Sequence, residues 1–135
     1  MNPNNLKYSK NHEWVGIINI HKIDDNKKIE AYVGVSLFAQ KELGDIIFID
    51  IEKSIVKKNM KEGEIFGTIE AVKTVSDLFI PISCTILDIN KKTLSNPELI
   101  NKNPYENWII KIQIKNIDEY NTLMSLIEYE KYLKI

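Results

Sequence analysis

Arginine is missing altogether: all 18 basic residues of the 135-residue chain are lysines. The forked, bidentate grip that a guanidinium makes on phosphate or carboxylate is therefore closed to it, and only point-charge ammonium groups remain. Nineteen acids offset the 18 lysines, for a net charge of −1, so the basic excess that marks a nucleic-acid-binding domain is lacking as well. A single cysteine, Cys84, excludes an internal disulfide and fits a reducing compartment. No uncharged apolar run reaches membrane-spanning length. The opening Met1-Asn2-Pro3-Asn4-Asn5 has neither the apolar stretch of a secretory signal nor the arginine-rich pattern of a transit peptide. What is present is an ordinary globular composition, 44% hydrophobic and 27% charged, in a chain long enough for one domain over 1–135 with its own core.

The patterning is that of many short strands followed by helices. Trp14 to Ile20 and Lys28 to Val35 are apolar, β-branched runs separated by the turn-forming Asp24-Asp25-Asn26-Lys27, which reads as a hairpin. Ser36 then suits a helix N-cap, with Val35, Phe38, Ala39 and Leu43 on one face and Gly44 as the stop. Asp45 to Glu52 reads as a strand, followed by a lysine-rich loop over Lys53 to Asn59. Glu64 to Val72 and Thr74 to Ile80 are two extended segments that place Lys73 at a hairpin tip, and Pro81 ends the ladder. Ile82 to Ile89 is a further strand, with Ile82, Cys84, Ile86 and, less cleanly, Asp88 on one face; Cys84 is expected there as a small buried residue. Asn96-Pro97-Glu98 signals one short helical turn with Asn96 as its cap, and Trp108 to Ile114 alternates like a half-buried strand. The tail, about 117–134, is expected to be helical: Asn116-x-x-Glu119 and Ser125-x-x-Glu128 read as capping boxes, with Tyr120, Leu123, Met124 and Ile127 on one face packed on the core.

Most catalytic templates fail against this chain. Neither Gly-x-Gly-x-x-Gly nor a phosphate loop occurs. His12-Glu13 begins like a zinc-protease motif, but Gly16 stands where the second histidine belongs. His12 and His21 have no cysteine partners, so no metal site is expected, and no paired acids mark a hydrolase. By elimination the chain is not expected to be an enzyme acting alone. One lysine differs from the other seventeen: Lys73 lies in Gly67-Thr68-Ile69-Glu70-Ala71-Val72-Lys73-Thr74-Val75-Ser76-Asp77, between two strands with small or apolar neighbours. Such a residue is either a solvated turn lysine or the attachment point of a carrier cofactor, whose arm swings from a rigid hairpin. The residues alone leave both readings open.

The order of motifs resembles the H protein of the glycine cleavage system over nearly the whole chain. Leu6-Lys7-Tyr8-Ser9-Lys10-Asn11-His12-Glu13-Trp14 matches the family's opening; Val33-Gly34-Val35 through Ala39-Gln40 and Leu43-Gly44-Asp45-Ile46-Ile47-Phe48 match its helix-to-strand segment. Phe66-Gly67 and Glu70-Ala71-Val72-Lys73 match the lipoylation hairpin, where the family usually reads Glu-Ser-Val-Lys. Ser76-Asp77, Pro81, Asn96-Pro97-Glu98-Leu99-Ile100-Asn101, Pro104-Tyr105 and Trp108 to Ile112 follow in the family's order.

The resemblance implies a mainly β barrel-sandwich hybrid with a short internal helix and C-terminal helices, carrying lipoic acid covalently on Lys73. It implies Glu70 as a recognition residue for the lipoate-attaching enzyme. It also implies Asn11, Glu13 and Asp77 as the polar cleft that holds the cationic amine of the loaded arm, a task suited to charge-assisted hydrogen bonds. The partners it implies are the pyridoxal-phosphate glycine decarboxylase (P protein), the tetrahydrofolate-dependent aminomethyltransferase (T protein) and dihydrolipoamide dehydrogenase (L protein). Tethering raises the effective concentration of the carried aminomethyl group at each of them. A monomer in bacterial cytoplasm is expected, with the mitochondrial matrix as the alternative compartment and a lipoyl relay in lipoate metabolism as the alternative function. Lipoyl or biotinyl domains of larger complexes usually read Asp-Lys-Ala or Met-Lys-Met, unlike Val72-Lys73-Thr74.

Three departures stand out. Cys84 and Lys57 occupy positions where the family usually has glycine, and Tyr105-Glu106-Asn107-Trp108 lacks a glycine common before the tryptophan. A side chain at position 84 is expected to disturb a turn that glycine adopts freely.

Overall fold

The computed structural model describes residues 1–24 and 26–134. Asp25, one of the four residues of the expected turn, and Ile135 lie outside the described residues. In chain order the elements are β1 (Lys7–Tyr8), β2 (Glu13–Ile23), β3 (Asn26–Val35), α1 (Leu37–Leu43), β4 (Ile46–Asp50), β5 (Asn59–Met60), β6 (Ile65–Ala71), β7 (Val75–Phe79), β8 (Cys84–Ile89), α2 (Lys91–Ser95), α3 (Glu98–Lys102), β9 (Ile110–Ile114), α4 (Ile117–Thr122) and α5 (Leu126–Leu133). The strands form an antiparallel six-stranded sheet in the order β1-β2-β3-β9-β8-β5 and a three-stranded sheet in the order β4-β6-β7. This is the expected mainly β fold with the internal helix α1 and a helical tail, and it adds a second short helix, α2, before the expected turn at α3.

Alternation explains how two sheets share one core. Along β9, Ile110, Ile112 and Ile114 are buried while Lys111 and Gln113 between them are half-exposed, the period-two pattern of a strand with one face inside. The inward residues of the larger sheet (Val15, Ala31, Val33, Ile86) meet Ile46, Ile49, Ile69 and Leu78 of the smaller one in a single apolar cluster. A second, aromatic cluster of Leu6, Tyr8, Trp14 and Tyr129 anchors the tail. There Tyr8 and Tyr129 stack with ring centroids 4.6 Å apart, while Tyr32 and Trp108 stack at 4.3 Å.

Helix α1 is capped as its sequence requires. Ser36 Oγ accepts the Ala39 N–H at 3.1 Å, and Gly44 closes the helix at φ +84°, a left-handed conformation that suits glycine. In the tail, the Ser125–Glu128 box forms with both reciprocal bonds present.

Several local expectations are corrected. Asn96 does not cap α3. It closes α2, a helix absent from the sequence reading, its side chain donating to the Lys92 carbonyl at 3.1 Å, and α3 begins after Pro97 without a side-chain cap. The Asn116–Glu119 box does not form: Asn116 Oδ1 accepts the Asp118 N–H at 2.9 Å, and the Glu119 carboxylate accepts the Ser83 N–H at 2.9 Å from another part of the chain. Ile127 is 69% exposed, because α5 turns Tyr129 rather than Ile127 into the core. On β8 a register shift between Ile86 and Asp88 turns Ile89 inward and leaves Asp88 exposed. Part of the expected lysine-rich loop is ordered: Lys53 to Ile55 form a 3-10 turn, and the Lys57 N–H donates to the Ile86 carbonyl at 2.7 Å.

Two of the unusual side chains at family glycine positions are resolved in opposite ways. Cys84 starts a regular strand, fully buried and paired with Met60 and Ile114, so no turn is disturbed. Burial pushes its thiol up to about 12, which leaves it protonated and unreactive. Lys57 instead keeps the glycine-like backbone, with φ +74°.

Candidate functional site

The β6–β7 hairpin carries the residue of interest. Glu70 pairs with Val75 and the Ala71 N–H donates to the Thr74 carbonyl at 2.8 Å, so the connection is the two residues Val72 and Lys73. Two-residue hairpins usually turn through positive φ, on glycine or asparagine. Here, among the described non-glycine residues, positive φ occurs at His12, Asp24 and Lys57. Val72 and Lys73 therefore turn on negative φ, which residues with a Cβ adopt without strain. Val72, Lys73 and Thr74 are all exposed, and Lys73 enters no ion pair among the described residues.

The stalk beneath this tip is held on its β4 side. A register shift between Ile46 and Phe48 opposite Ala71 and Glu70 leaves Ile47 and Phe48 both more than half exposed. A bulge there bends and twists the strand. The side chain of Asn101, from α3, clamps Ile46 like a missing strand: its Oδ1 accepts the Ile46 N–H at 2.9 Å and its Nδ2 donates to the Ile46 carbonyl at 3.2 Å. Gly67, lower in β6, lies so close to β4 that a Cβ would come 2.7 Å from the Asp50 carbonyl oxygen. On the outward face of this small sheet, Phe48, Glu70 and Val75 form one cross-strand row and Asp50, Thr68 and Asp77 the next.

The other expected site residues lie on β7, at its end and on β6. Asp77 is exposed on that strand, four residues from Lys73, or about 13 Å at strand rise. Two residues further, the Phe79 N–H donates to Glu13 Oε2 at 3.3 Å. Glu13 is only 2% exposed, and its other oxygen accepts the Ser9 hydroxyl at 2.7 Å. Burial pushes its carboxyl up to about 7, with the hydrogen bonds from Ser9 and Phe79 pulling back toward the ordinary value. Asn11 sits beyond it, lining a cleft of about 230 Å³ with Tyr8, Ser9, Gly63, Ile80 and Pro81. The structure thus brings Glu13 against β7 at Phe79, two residues from Asp77, places Asn11 in a cleft that Ser9 also lines, and sets Glu70 one row below the tip.

Two contributors escaped the sequence reading. Ser9 is the direct partner of Glu13: its Oγ donates to the carboxyl and accepts the Glu13 N–H at 3.1 Å. Its only signal was its place within the opening motif. His12, adjacent to Glu13 at φ +70°, has Nδ1 2.8 Å from the Tyr129 hydroxyl, which is itself 2.8 Å from Ser36 Oγ. The tail helix α5, the cap of α1 and the turn that presents Glu13 are thereby tied together. Burial lowers the His12 pKa, so the neutral ring is favoured.

Comparisons with known proteins point to one family. The family described as Glycine cleavage H-protein matches residues 6–135. The glycine cleavage system H protein of Halothermothrix orenii is 41% identical over 133 residues, covering 98% of this chain and 95% of that protein. That of Staphylococcus epidermidis is 39% identical over 132 residues, covering 97% and 96%. A crystal structure of a glycine cleavage system H protein from Mycobacterium marinum superposes with a TM-score of 0.81 at 28% identity, covering 99% of this chain and all of that one. With a lysine-tipped hairpin, a two-sheet body and full-length similarity in hand, the chain belongs to the glycine cleavage H-protein family, lipoyl carriers that serve the glycine cleavage system without being catalysts themselves.

Proposed function

We propose that lipoic acid is carried on Lys73 as an amide of its Nζ, and that the loaded arm serves the P, T and L proteins of glycine cleavage in turn, in a bacterial cytoplasm. The observation that carries this reading is an exposed lysine, with no ion pair among the described residues, on a two-residue hairpin whose stalk is fixed by Asn101 and the close contact at Gly67. The exposed Val72 and the negative-φ turn fit a group that must project freely. When bound, the lipoyl dithiolane supplies a disulfide that opens and recloses, and so takes up and gives back the one-carbon amine fragment of glycine.

The chain's own residues do the rest. Glu70, on the same strand three residues before the lysine, gives the attaching enzyme a negative charge at a set distance from Nζ. Glu13 and Asp77 provide carboxyl oxygens along the β7 edge for a cationic amine, with Asn11 as a neutral hydrogen-bonding side chain at the far end. Because Glu13 is buried and titrates near 7, an amine cation beside it favours the ionised carboxylate, and Ser9 and the Phe79 N–H stabilise that form. The tight packing of the two sheets keeps this edge rigid while the arm moves.

Reconstitution with purified P, T and L proteins tests the reading. The lipoylated wild-type chain supports glycine-dependent release of carbon dioxide and Lys73→Arg does not. A wild-type chain that passes its lipoyl group to other acceptor domains but supports no glycine turnover would instead establish the relay.

A further inference from the structure

The outer edge of β7 has unpaired backbone groups beside the lysine. Hydrogen-bonded and non-hydrogen-bonded pairs alternate along an antiparallel ladder. Since Ala71 and Thr74 form a hydrogen-bonded pair, the Glu70–Val75 pair is non-bonded, Ile69–Ser76 is bonded, and Thr68–Asp77 is non-bonded. The N–H and C=O groups of Val75 and Asp77 therefore point away from β6, and β7 is the edge of its sheet. Phe79, the next outward position, demonstrates the direction, because its N–H is taken from outside by Glu13. Among the described residues, the one internal contact made by the outward groups of Val75 and Asp77 is Ser76 Oγ to the Asp77 carbonyl, at 3.4 Å.

Parts of two other edges are covered. Asn101 occupies Ile46 at the start of β4, and the tail bridges Tyr8 to Met124 with two backbone hydrogen bonds of 2.8 and 2.9 Å along β1. An open edge is a template for another strand, and this one begins two residues from Lys73. Val72 and Val75 beside it are 72% and 59% exposed, apolar side chains with no internal partner for much of their surface.

We propose that the Val75–Asp77 edge is the docking rail for the enzyme that acylates Lys73: an extended segment of that enzyme adds a strand to β7, with Val72 and Val75 seated against it. The proposal rests on Lys73 as the attachment point. The attaching enzyme is the partner the geometry selects, because it alone must form a bond at Nζ itself. Its surface must therefore lie within a few residues of the tip, whereas the enzymes served by the loaded arm are reached at the arm's far end. Strand addition supplies affinity through the main chain and orientation through register, which is what presenting one amine among 18 lysines requires.

Amide hydrogen exchange followed by NMR on the full Lys73→Arg chain, alone and saturated with purified lipoate–protein ligase, tests this. In the free chain the Val75 and Asp77 amides exchange rapidly and that of Ser76 slowly; in the complex the first two slow at least tenfold. Replacing Val75 by its α-hydroxy acid, which deletes only the outward N–H, lowers kcat/KM for acylation of Lys73 about tenfold at unchanged Tm, while Val75→Thr has little effect. Val75 and Asp77 amides that stay unprotected in a complex whose ligase acylates the wild-type chain would overturn the docking alone. A wild-type chain that is not acylated at all would overturn the Lys73 reading and the docking with it.

Discussion

Glu13 on β2 and Phe79 on β7 are joined across the two sheets by a hydrogen bond from the Phe79 N–H to the Glu13 carboxyl at 3.3 Å. A side chain of the larger sheet thus completes the edge of the strand that leads to Lys73. The bond brings a buried, titratable carboxyl to the path between the hairpin tip and the cleft of Asn11.

The pH dependence of folding follows from this burial. Below the ordinary value of 4.5 both the folded and the unfolded chain hold the Glu13 proton; from there to about 7 the unfolded chain loses it and the folded chain keeps it. Stability from this group is therefore full at low pH, falls as pH rises through that window, and stays lost above it. Glu13→Gln removes the dependence, so relative to wild type it gains on the order of 3 kcal/mol between pH 4.5 and 8. Urea midpoints of both chains across that range measure it, and parallel profiles would contradict it.

The amine-holding role of the same carboxyl is tested separately. Glu13→Ala combined with Asp77→Ala shortens the half-life of the amine-loaded arm in the absence of partners, because both carboxyl groups on the β7 edge are then lost. Quantifying release of the one-carbon fragment over time gives the answer; an unchanged half-life would remove Glu13 and Asp77 from the site.

Tyr129 ties the tail to the site through its hydroxyl, 2.8 Å from both His12 Nδ1 and Ser36 Oγ. Tyr129→Phe keeps the stacking on Tyr8 but leaves those two polar atoms short of a partner, for a loss of about 1–2 kcal/mol. Equilibrium urea unfolding at pH 7 checks this.

Lys57 holds a left-handed backbone at φ +74°, which disfavours any residue with a Cβ. Lys57→Gly relieves that strain and gives back part of the gain through glycine's greater freedom in the unfolded chain, for a net stabilisation of about 0.5–1 kcal/mol. Differential scanning calorimetry shows a higher Tm for Lys57→Gly and a lower one for Lys57→Val.

The strands were legible from sequence because their burial is local: the alternation of Ile110, Ile112 and Ile114 with Lys111 and Gln113 needs no knowledge of partners. The hairpin tip was legible for the same reason, since two extended runs meet at Lys73. Most of what stayed hidden depends on contacts distant in the chain. Glu119 matches a capping box locally, but the Ser83 N–H, 36 residues away, takes its carboxylate. Asn96 looks like a helix start and closes α2 instead, because Lys92 precedes it by one helical turn. Ile127 has the spacing of a core residue, yet the stacking of Tyr129 on Tyr8 sets which face of α5 turns inward. Of the site, Lys73 could be placed at the hairpin tip and Asp77 on the strand that follows it by reading alone. The approach of Glu13 to Phe79, 66 residues apart in the chain, and the role of Ser9 required the two sheets to be assembled.

Attachment of the cofactor to one lysine of 18 is read out by intact-mass analysis. The wild-type chain and Lys73→Arg are co-expressed with a lipoate–protein ligase in lipoate-supplemented medium and weighed. One lipoyl increment is expected on the wild type, mapped to Lys73 by peptide fragmentation, and none on Lys73→Arg. A wild-type chain without the increment, or a Lys73→Arg chain that retains it, would contradict attachment at Lys73.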